Sequence, residues 1–323
     1  MAIGEIILHV GMHKTGTTSI QQTFDGYDDG NVAFADLKIP GNMTPNHGVA
    51  IETIFRKAID QIPHHQRMDH DEHLIVSYRK QFRAKLRAAL ALDRTRLIIS
   101  GEAIPRLHGK GLRRLRRKLQ RAAEKVTVLV YVREPLGFAS SMFQQRCRLS
   151  MFRGPGALPT PQYRRKFNKF IKVFGRANVQ FVHYDRASLI GGSSVEDFAS
   201  RVGIRDIPDV RLANVGLSAD ATRCVYILGT SGRIDFDRLE ARIALTRMLT
   251  PLGIGMPGPS FRLPAASVAK RVNPDDVRWI NQTTGFDIAL PPVNADDTTD
   301  MDVALRQVSP KGIQQLRTIL TEA

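Results

Sequence analysis

Chemistry-bearing residues gather in two short stretches of this chain. In EIILHVGMHKTGTTSIQQTF, Glu5–Phe24, Gly11 and Gly16 keep the spacing of a phosphate-holding glycine loop. Thr17 and Thr18 follow the second glycine, where a nucleoside-triphosphate loop carries Lys and then Ser or Thr. The lysine instead stands before that glycine, at Lys14. Backbone N–H groups at such a loop hold an anion, and two threonine hydroxyls add donors. The pattern reads as a site for one phosphate bearing a transferable group, without a dedicated metal ligand. The competing reading is a plain glycine turn in which Thr17 or Thr18 only caps a helix.

The second stretch is KVTVLVYVREPLGFASSMFQQ, Lys125–Gln145, an apolar strand running into Arg133 and a helix opened by Pro135. A kinase or ATPase places an acidic magnesium partner at a strand end. Here the strand tip offers Arg133, with Ser141 about two helical turns further on. A guanidinium fork and a hydroxyl suit a second, separate phosphate. The alternative pairs Arg133 with a carboxylate and leaves Glu134 as a helix-start acid.

Two residues stand out as candidate general bases. Glu102 follows the strand-like RLIISGE, after a glycine that lets the backbone turn near a substrate, with a salt bridge to Arg106 as its plain structural reading. His47, in TPNHGVA, is the other, its plain reading a polar cap or surface group. His13 reads as shaping the loop. HHQRMDHDEH, His64–His73, has four histidines and three acids, but its spacings match no zinc template, so no metal site is expected.

These residues need a frame. Short β-rich runs predict strands at Glu5–Gly11, Arg96–Ser100, Lys125–Val132 and Val179–Tyr184. Between them fall helical patterns at Thr17–Gly26, Gly48–Asp60, Asp71–Leu92, Gly109–Glu124, Pro135–Leu149 and Pro161–Gly175. Alternation of this kind predicts a mainly parallel sheet covered on both faces, with ligands beyond its carboxyl ends. After Asp185 only helical patterns continue, at Val195–Val202, Ser218–Leu228, Asp237–Leu249, Pro274–Thr284 and Pro310–Glu322. The expectation is one domain over 1–323: an α/β core to about residue 190 and a mostly helical remainder.

Together the two stretches resemble the sulfotransferases that use 3′-phosphoadenosine 5′-phosphosulfate (PAPS). HKTGTTSIQ, His13–Gln21, is similar to the family's phosphosulfate loop, and VREPLGFASS carries Arg133 and Ser141 at the spacing of its 3′-phosphate site. The resemblance implies an α/β, three-layer P-loop-like fold. It assigns Lys14, Thr15, Gly16, Thr17 and Thr18 to the 5′ end of the nucleotide and Arg133 with Ser141 to the 3′ end. It also implies sulfuryl transfer to a hydroxyl of a carbohydrate, polysaccharide or glycolipid, releasing 3′,5′-adenosine bisphosphate without a metal. NVGLSADATRCVYIL, Asn214–Leu228, resembles a segment of bacterial members. The family's adenine-contacting C-terminal glycine loop is not identified in this sequence, and AKRVN, Ala269–Asn273, reads either as a cation near the 3′-phosphate or as a solvated pair.

Bulk properties bound the alternatives. The chain has 323 residues, 42% hydrophobic and 24% charged, which suits a soluble globular protein. It starts directly in its first strand with no export signal, so a cytoplasmic enzyme is expected, at most touching the inner membrane face. Cys147 and Cys224, far apart, read as free thiols, although a single bridge between them is the other option. Lys and Arg number 47 against 31 Asp and Glu, a net charge of +16 that favours anionic partners. LRRLRRKLQR, Leu112–Arg121, sets six cations beside a leucine stripe: a solvated face, or a track for an acidic polysaccharide or lipid headgroups. MFRGPGALPTPQYRRKFNKF, Met151–Phe170, has the composition of a lid over sugars. A P-loop kinase and a basic nucleic-acid-binding protein are the alternatives, though no nucleic-acid module accompanies the charge.

Overall fold

A computed structural model of the chain describes residues 3–148, 158–211, 217–230, 256, 258–293 and 300–322. The helical pattern Asp237–Leu249, most of the Phe152–Pro161 loop and the start of the Asn214–Leu228 segment lie outside these residues. The chain divides into two compact units, Met1–Arg133 with Gln162–Ala213, and Glu134–Pro161 with Asn214–Ala323.

The first unit is built on five strands: β1 Ile3–His9, β2 Val32–Phe34, β3 Arg96–Ser100, β4 Ala123–Val132 and β5 Val179–His183. All pairings between these five strands are parallel, in the order β2-β3-β1-β4-β5. Its helices are α1 Thr17–Thr23, α2 Gly48–Phe55, α3 Pro63–Arg67, α4 Glu72–Ala89, α5 Gly109–Gln120, α7 Tyr163–Phe174 and α8 Ser194–Val202, with α6 belonging to the second unit. Sequence patterning missed β2, whose three residues are too short to show a period. It also ran the Gly109 helix through to Glu124, where the structure stops the helix at Gln120 and starts β4 at Ala123.

Central strands buried on both faces read as continuous apolar runs. Ile7 of β1, Ile98 of β3, Leu129 and Tyr131 of β4 and Val182 of β5 meet Ile20 and Phe24 of α1 and Val195, Phe198 and Val202 of α8 in one cluster. The alternate positions Ile6, Leu8, Leu97, Ile99, Val128 and Val130 are fully buried on the opposite face, where α5 and α7 pack on β4. Leu112, Leu115 and Leu119 of α5 are 0% exposed, as the leucine stripe predicts. Each contributes about 1.5–3 kcal/mol of burial. Tyr131 Oη donates to Asp197 Oδ2 at 2.6 Å, and Arg201 donates to both carboxylate oxygens, which ties α8 to the sheet.

From β1 the chain leaves to one side, toward β2, and from β4 to the other, toward β5. Ligand crevices of open parallel sheets form where successive connections diverge in this way. The described second unit is helical: α6 Pro135–Arg148, α9 Ala219–Thr230, α10 Ala265–Ala269, α11 Pro274–Thr284, α12 Met301–Arg306 and α13 Pro310–Glu322. Phe143 of α6 stacks on Phe261 and meets Tyr226 of α9, and the free thiols Cys147 and Cys224 are buried in this unit. Among the described residues no helix is long and apolar enough to cross a membrane.

Candidate active site

The loop after β1 remains tied to β4 as it leaves the sheet. Val10 N donates to Leu129 O at 3.0 Å and Met12 N to Tyr131 O at 3.1 Å. Thr15 Oγ1 then donates to Met12 O at 2.7 Å, closing the turn from inside. Two residues in left-handed backbone carry the turn, Lys14 at φ 69 and Gly16 at φ 77. At Gly16 a Cβ would also collide with the Ser194 side chain, so the glycine is required on two counts. Gly16 is the N-cap of α1 and no side chain caps the helix, so neither Thr17 nor Thr18 plays the capping role. The backbone N–H groups of Thr15, Gly16, Thr17 and Thr18 find no acceptor among the described residues. Four such donors in a row have the chemistry of an oxyanion seat.

Beneath the loop lies His9, a residue that sequence reasoning passed over. It is 0% exposed. Gln21 Nε2 donates to Ser100 O at 3.2 Å and to Ser100 Oγ at 3.1 Å, and the Ser100 hydroxyl is hydrogen-bonded to His9 Nδ1 at 2.9 Å. The other ring nitrogen, Nε2, is buried and has no hydrogen-bond partner among the described residues. A Cβ built on Gly11 would stand 3.0 Å from His9 Nε2 and 3.2 Å from both Thr15 Oγ1 and Thr17 Oγ1, so three polar atoms converge beside this glycine. Burial pushes the imidazole down to about 4, against a smaller upward pull from Glu102. The only sequence signal for it was a histidine at the end of an otherwise apolar strand.

Glu102 lies just past β3 and is half-buried. Its Oε1 is 3.3 Å from His13 Nδ1, so its partner is His13 and not Arg106. Burial alone would raise the carboxyl, but His13, then Lys14 and Arg106, outweigh it and hold the group below the ordinary glutamate range. Arg106 instead reaches Glu52 at 3.7 Å. Gly101 serves helix packing: a Cβ on it would stand 2.6 Å from Gly48 N, at the start of α2. Lys169 of α7, pushed down to about 8 by burial and by Arg165, donates to the carbonyls of Pro105 and Leu107 and braces the turn after Glu102.

His47 has a different place. It is 2% exposed, its Nδ1 accepts from Ser100 N at 3.0 Å, and its backbone N donates to Ser100 O at 2.9 Å. Phe34 lies 4.8 Å from the ring, centre to centre. Burial holds the imidazole down to about 4, with a backbone bond to Ala35 opposing. A neutral histidine clamped across the end of β3 has the contacts of a structural group, whereas Glu102 stays half-buried beside the loop.

Arg133 joins the loop directly. Its Nη1 donates to Lys14 O at 2.9 Å, its guanidinium lies 5.5 Å from the Tyr184 ring centre, and Tyr163 Oη donates to its carbonyl at 2.6 Å. Ser141 is half-buried on α6, in the second unit. Lys270 and Arg271 of AKRVN are exposed in that same unit.

Away from the strand tips, Lys57, Lys110, Arg113, Arg114, Arg116 and Arg117 line a groove of about 660 Å³ along α5. Arg114 donates to Phe55 O at the end of α2 and Arg116 to Val173 O at 2.6 Å. The basic run of the sequence is therefore a concave cationic surface.

A glycine loop follows the central strand of a five-stranded parallel α/β sheet, with His13 and Glu102 paired beside it and Arg133 at the next strand tip. No protein-family model and no curated protein matches the chain. Among solved structures it is similar to a sulfotransferase from Alicyclobacillus acidocaldarius, at 14% identity and a TM-score of 0.40 over 76% of this chain and 97% of that one. It is also similar to mouse sulfotransferase SULT7A1 complexed with PAP, at 12% identity and a TM-score of 0.32 over 99% of this chain and 84% of that one. Such distant likeness leaves the functional argument to the residues.

Proposed function

We propose that the protein is a PAPS-dependent sulfotransferase that moves a sulfuryl group to a hydroxyl of a carbohydrate, polysaccharide or glycolipid. The observation that carries the reading is the seat of unpartnered amides at Thr15–Thr18, bordered by Lys14, with the His13–Glu102 pair at the adjoining strand tip. The seat fits the 5′-phosphosulfate end of the nucleotide, and the buried His9 Nε2, without a partner among the described residues, lies on its inner side. Arg133 with Ser141 is assigned to the 3′-phosphate on the pattern VREPLGFASS. When bound, PAPS supplies an electrophilic sulfur whose leaving group is a phosphate oxygen.

In the chain's own terms, Glu102 accepts the acceptor hydroxyl's proton as the new S–O bond forms. Lys14 faces the charge that builds as the sulfur–oxygen bond to the phosphate breaks. His13 keeps Glu102 ionised and oriented. That arrangement suits an in-line transfer, with attacking and leaving oxygens on opposite sides of the sulfur.

The acceptor assigned to this reading is acidic. The α5 groove meets α2 at its last residue, Phe55, while the first residue of α2, Gly48, touches Gly101 beside Glu102. Eight helical residues span about 12 Å, within reach of a few sugar units. A polyanion lying on the cations of α5 can thus extend to the base. The proposed setting is the cytoplasm, with glycolipid acceptors met at the membrane face.

Calorimetry tests the reading. Tight binding of 3′,5′-adenosine bisphosphate in the absence of magnesium is expected. Magnesium-dependent ATP binding in its place would identify a kinase. Salt-sensitive DNA or RNA binding with neither nucleotide would identify a nucleic-acid binder.

A further inference from the structure

We infer that His64, His65 and His70 form a structural site for a zinc-class transition metal, in the first unit and apart from the proposed active site. The spacing of these histidines matches no zinc template in sequence. The fold brings them together because Asp69, at φ 51, turns the chain back so that His70 N donates to His65 O at 3.0 Å. One ligating nitrogen from each of the three lies within 4.8 Å of the others, while His73 of the same stretch stays exposed outside the group.

Proton bookkeeping makes this more than a histidine cluster. Thr53 Oγ1 donates to Val49 O at 2.8 Å, so its oxygen is an acceptor toward His65 Nε2, also at 2.8 Å. His65 therefore carries its proton on Nε2 and presents the Nδ1 lone pair inward. A bond of this kind on the far nitrogen is how metal-ligating histidines are oriented. That lone pair faces His70 Nδ1 at 3.1 Å. Two ligands of a tetrahedral zinc, with Zn–N near 2.0–2.1 Å, stand about 3.3 Å apart. In the metal-free arrangement His70 donates its Nδ1 proton to His65. Metal entry moves that proton to His70 Nε2, with no net release, and leaves both lone pairs on the ion. His64, half-exposed with its ring 5.6 Å from His65 and 5.8 Å from His70, supplies the third nitrogen, and water the fourth position.

Imidazole donors suit Zn²⁺, Co²⁺, Ni²⁺ and Cu²⁺, and three of them exclude a calcium or magnesium site. The site joins α2 through Thr53, α3 through His64 and His65, and the turn into α4 through His70. Its role is to fasten the end of α2 remote from Gly101.

The test uses the full-length chain without an affinity tag, stripped with chelator and titrated with Zn²⁺, then with Co²⁺. One ion per chain is expected, with visible Co²⁺ bands of a four-coordinate nitrogen site and a melting temperature that rises on zinc addition. His70→Gln and His64→Gln should each weaken binding beyond about 100-fold, and Thr53→Val by about 10–100-fold through the lost orienting bond. Metal-free melting of each variant, compared with the metal-free parent, separates misfolding from ligand loss. Zinc content well below one per chain, or affinity indifferent to the histidine substitutions in variants that melt normally, overturns the site.

Discussion

His13 Nδ1 stands 3.3 Å from Glu102 Oε1, joining the loop after β1 to the tip of β3. The glutamate is half-buried, so its charge is favoured only because His13, Lys14 and Arg106 outweigh the desolvation that opposes it. A carboxylate held this way is ionised at every physiological pH, at the cost of some intrinsic basicity.

The first expectation concerns this pair. Glu102→Gln should abolish transfer while 3′,5′-adenosine bisphosphate still binds. Because the folded carboxyl sits below its unfolded value, the acid limb of kcat/KM should fall below the ordinary glutamate range. His13→Gln removes the largest downward influence and should move that limb up. A pH–rate profile unchanged by His13→Gln would assign the limb to another group.

Lys14 separates turnover from stability. An L-residue in left-handed backbone costs roughly 1–2 kcal/mol, which glycine avoids. Lys14→Gly should therefore keep or raise the denaturation midpoint while turnover drops by about 10²–10³-fold, the scale of one lost charge-stabilising donor. Near-normal transfer by Lys14→Gly would put the leaving oxygen elsewhere.

Acid should loosen the first unit before its carboxylates titrate. His9 and His47, both buried, sit at about 4 when folded against about 6.5 when unfolded. Between those values the unfolded chain binds more protons, so stability falls as pH drops from 6.5 toward 4. Each histidine contributes on the order of 1 kcal/mol per pH unit. Urea midpoints across this window measure the slope, and His47→Gln should flatten it. A slope unaltered by His47→Gln would mean that this ring is already protonated in the folded state.

Charge reversal on α5 tests the acceptor surface. Arg113→Glu with Arg117→Glu should raise KM for an acidic polysaccharide by about tenfold or more, with kcat for a neutral acceptor unchanged, and should lessen the salt dependence. Equal kinetics on the acidic acceptor would return the groove to a solvated basic face. Both residues line it without bonding the backbone of α2 or α7, as Arg114 and Arg116 do.

Local pattern was enough for much of this protein. Runs such as LIIS and VTVLVYV are apolar without alternation, which only a strand covered on both faces allows, so the parallel sheet and its glycine loop could be read from order and composition. The leucine stripe of α5 was equally legible, because helical period alone decides which face is buried.

What sequence could not decide were relationships between residues distant in the chain. Glu102 had Arg106 as its near neighbour in sequence, yet parallel pairing of β1 with β3 sets it beside His13 instead, while Arg106 turns to Glu52. His47 read as polar and available and His9 drew no reading, but bonds to Ser100 place both, buried, at the end of β3. His64, His65 and His70 matched no template because one left-handed residue, Asp69, replaces the spacing that a motif would need. Side-chain type and period are local properties, set by each residue and its near neighbours. Partner choice, burial and proton location belong to the assembled sheet, where strand register and a few backbone turns decide which atoms meet.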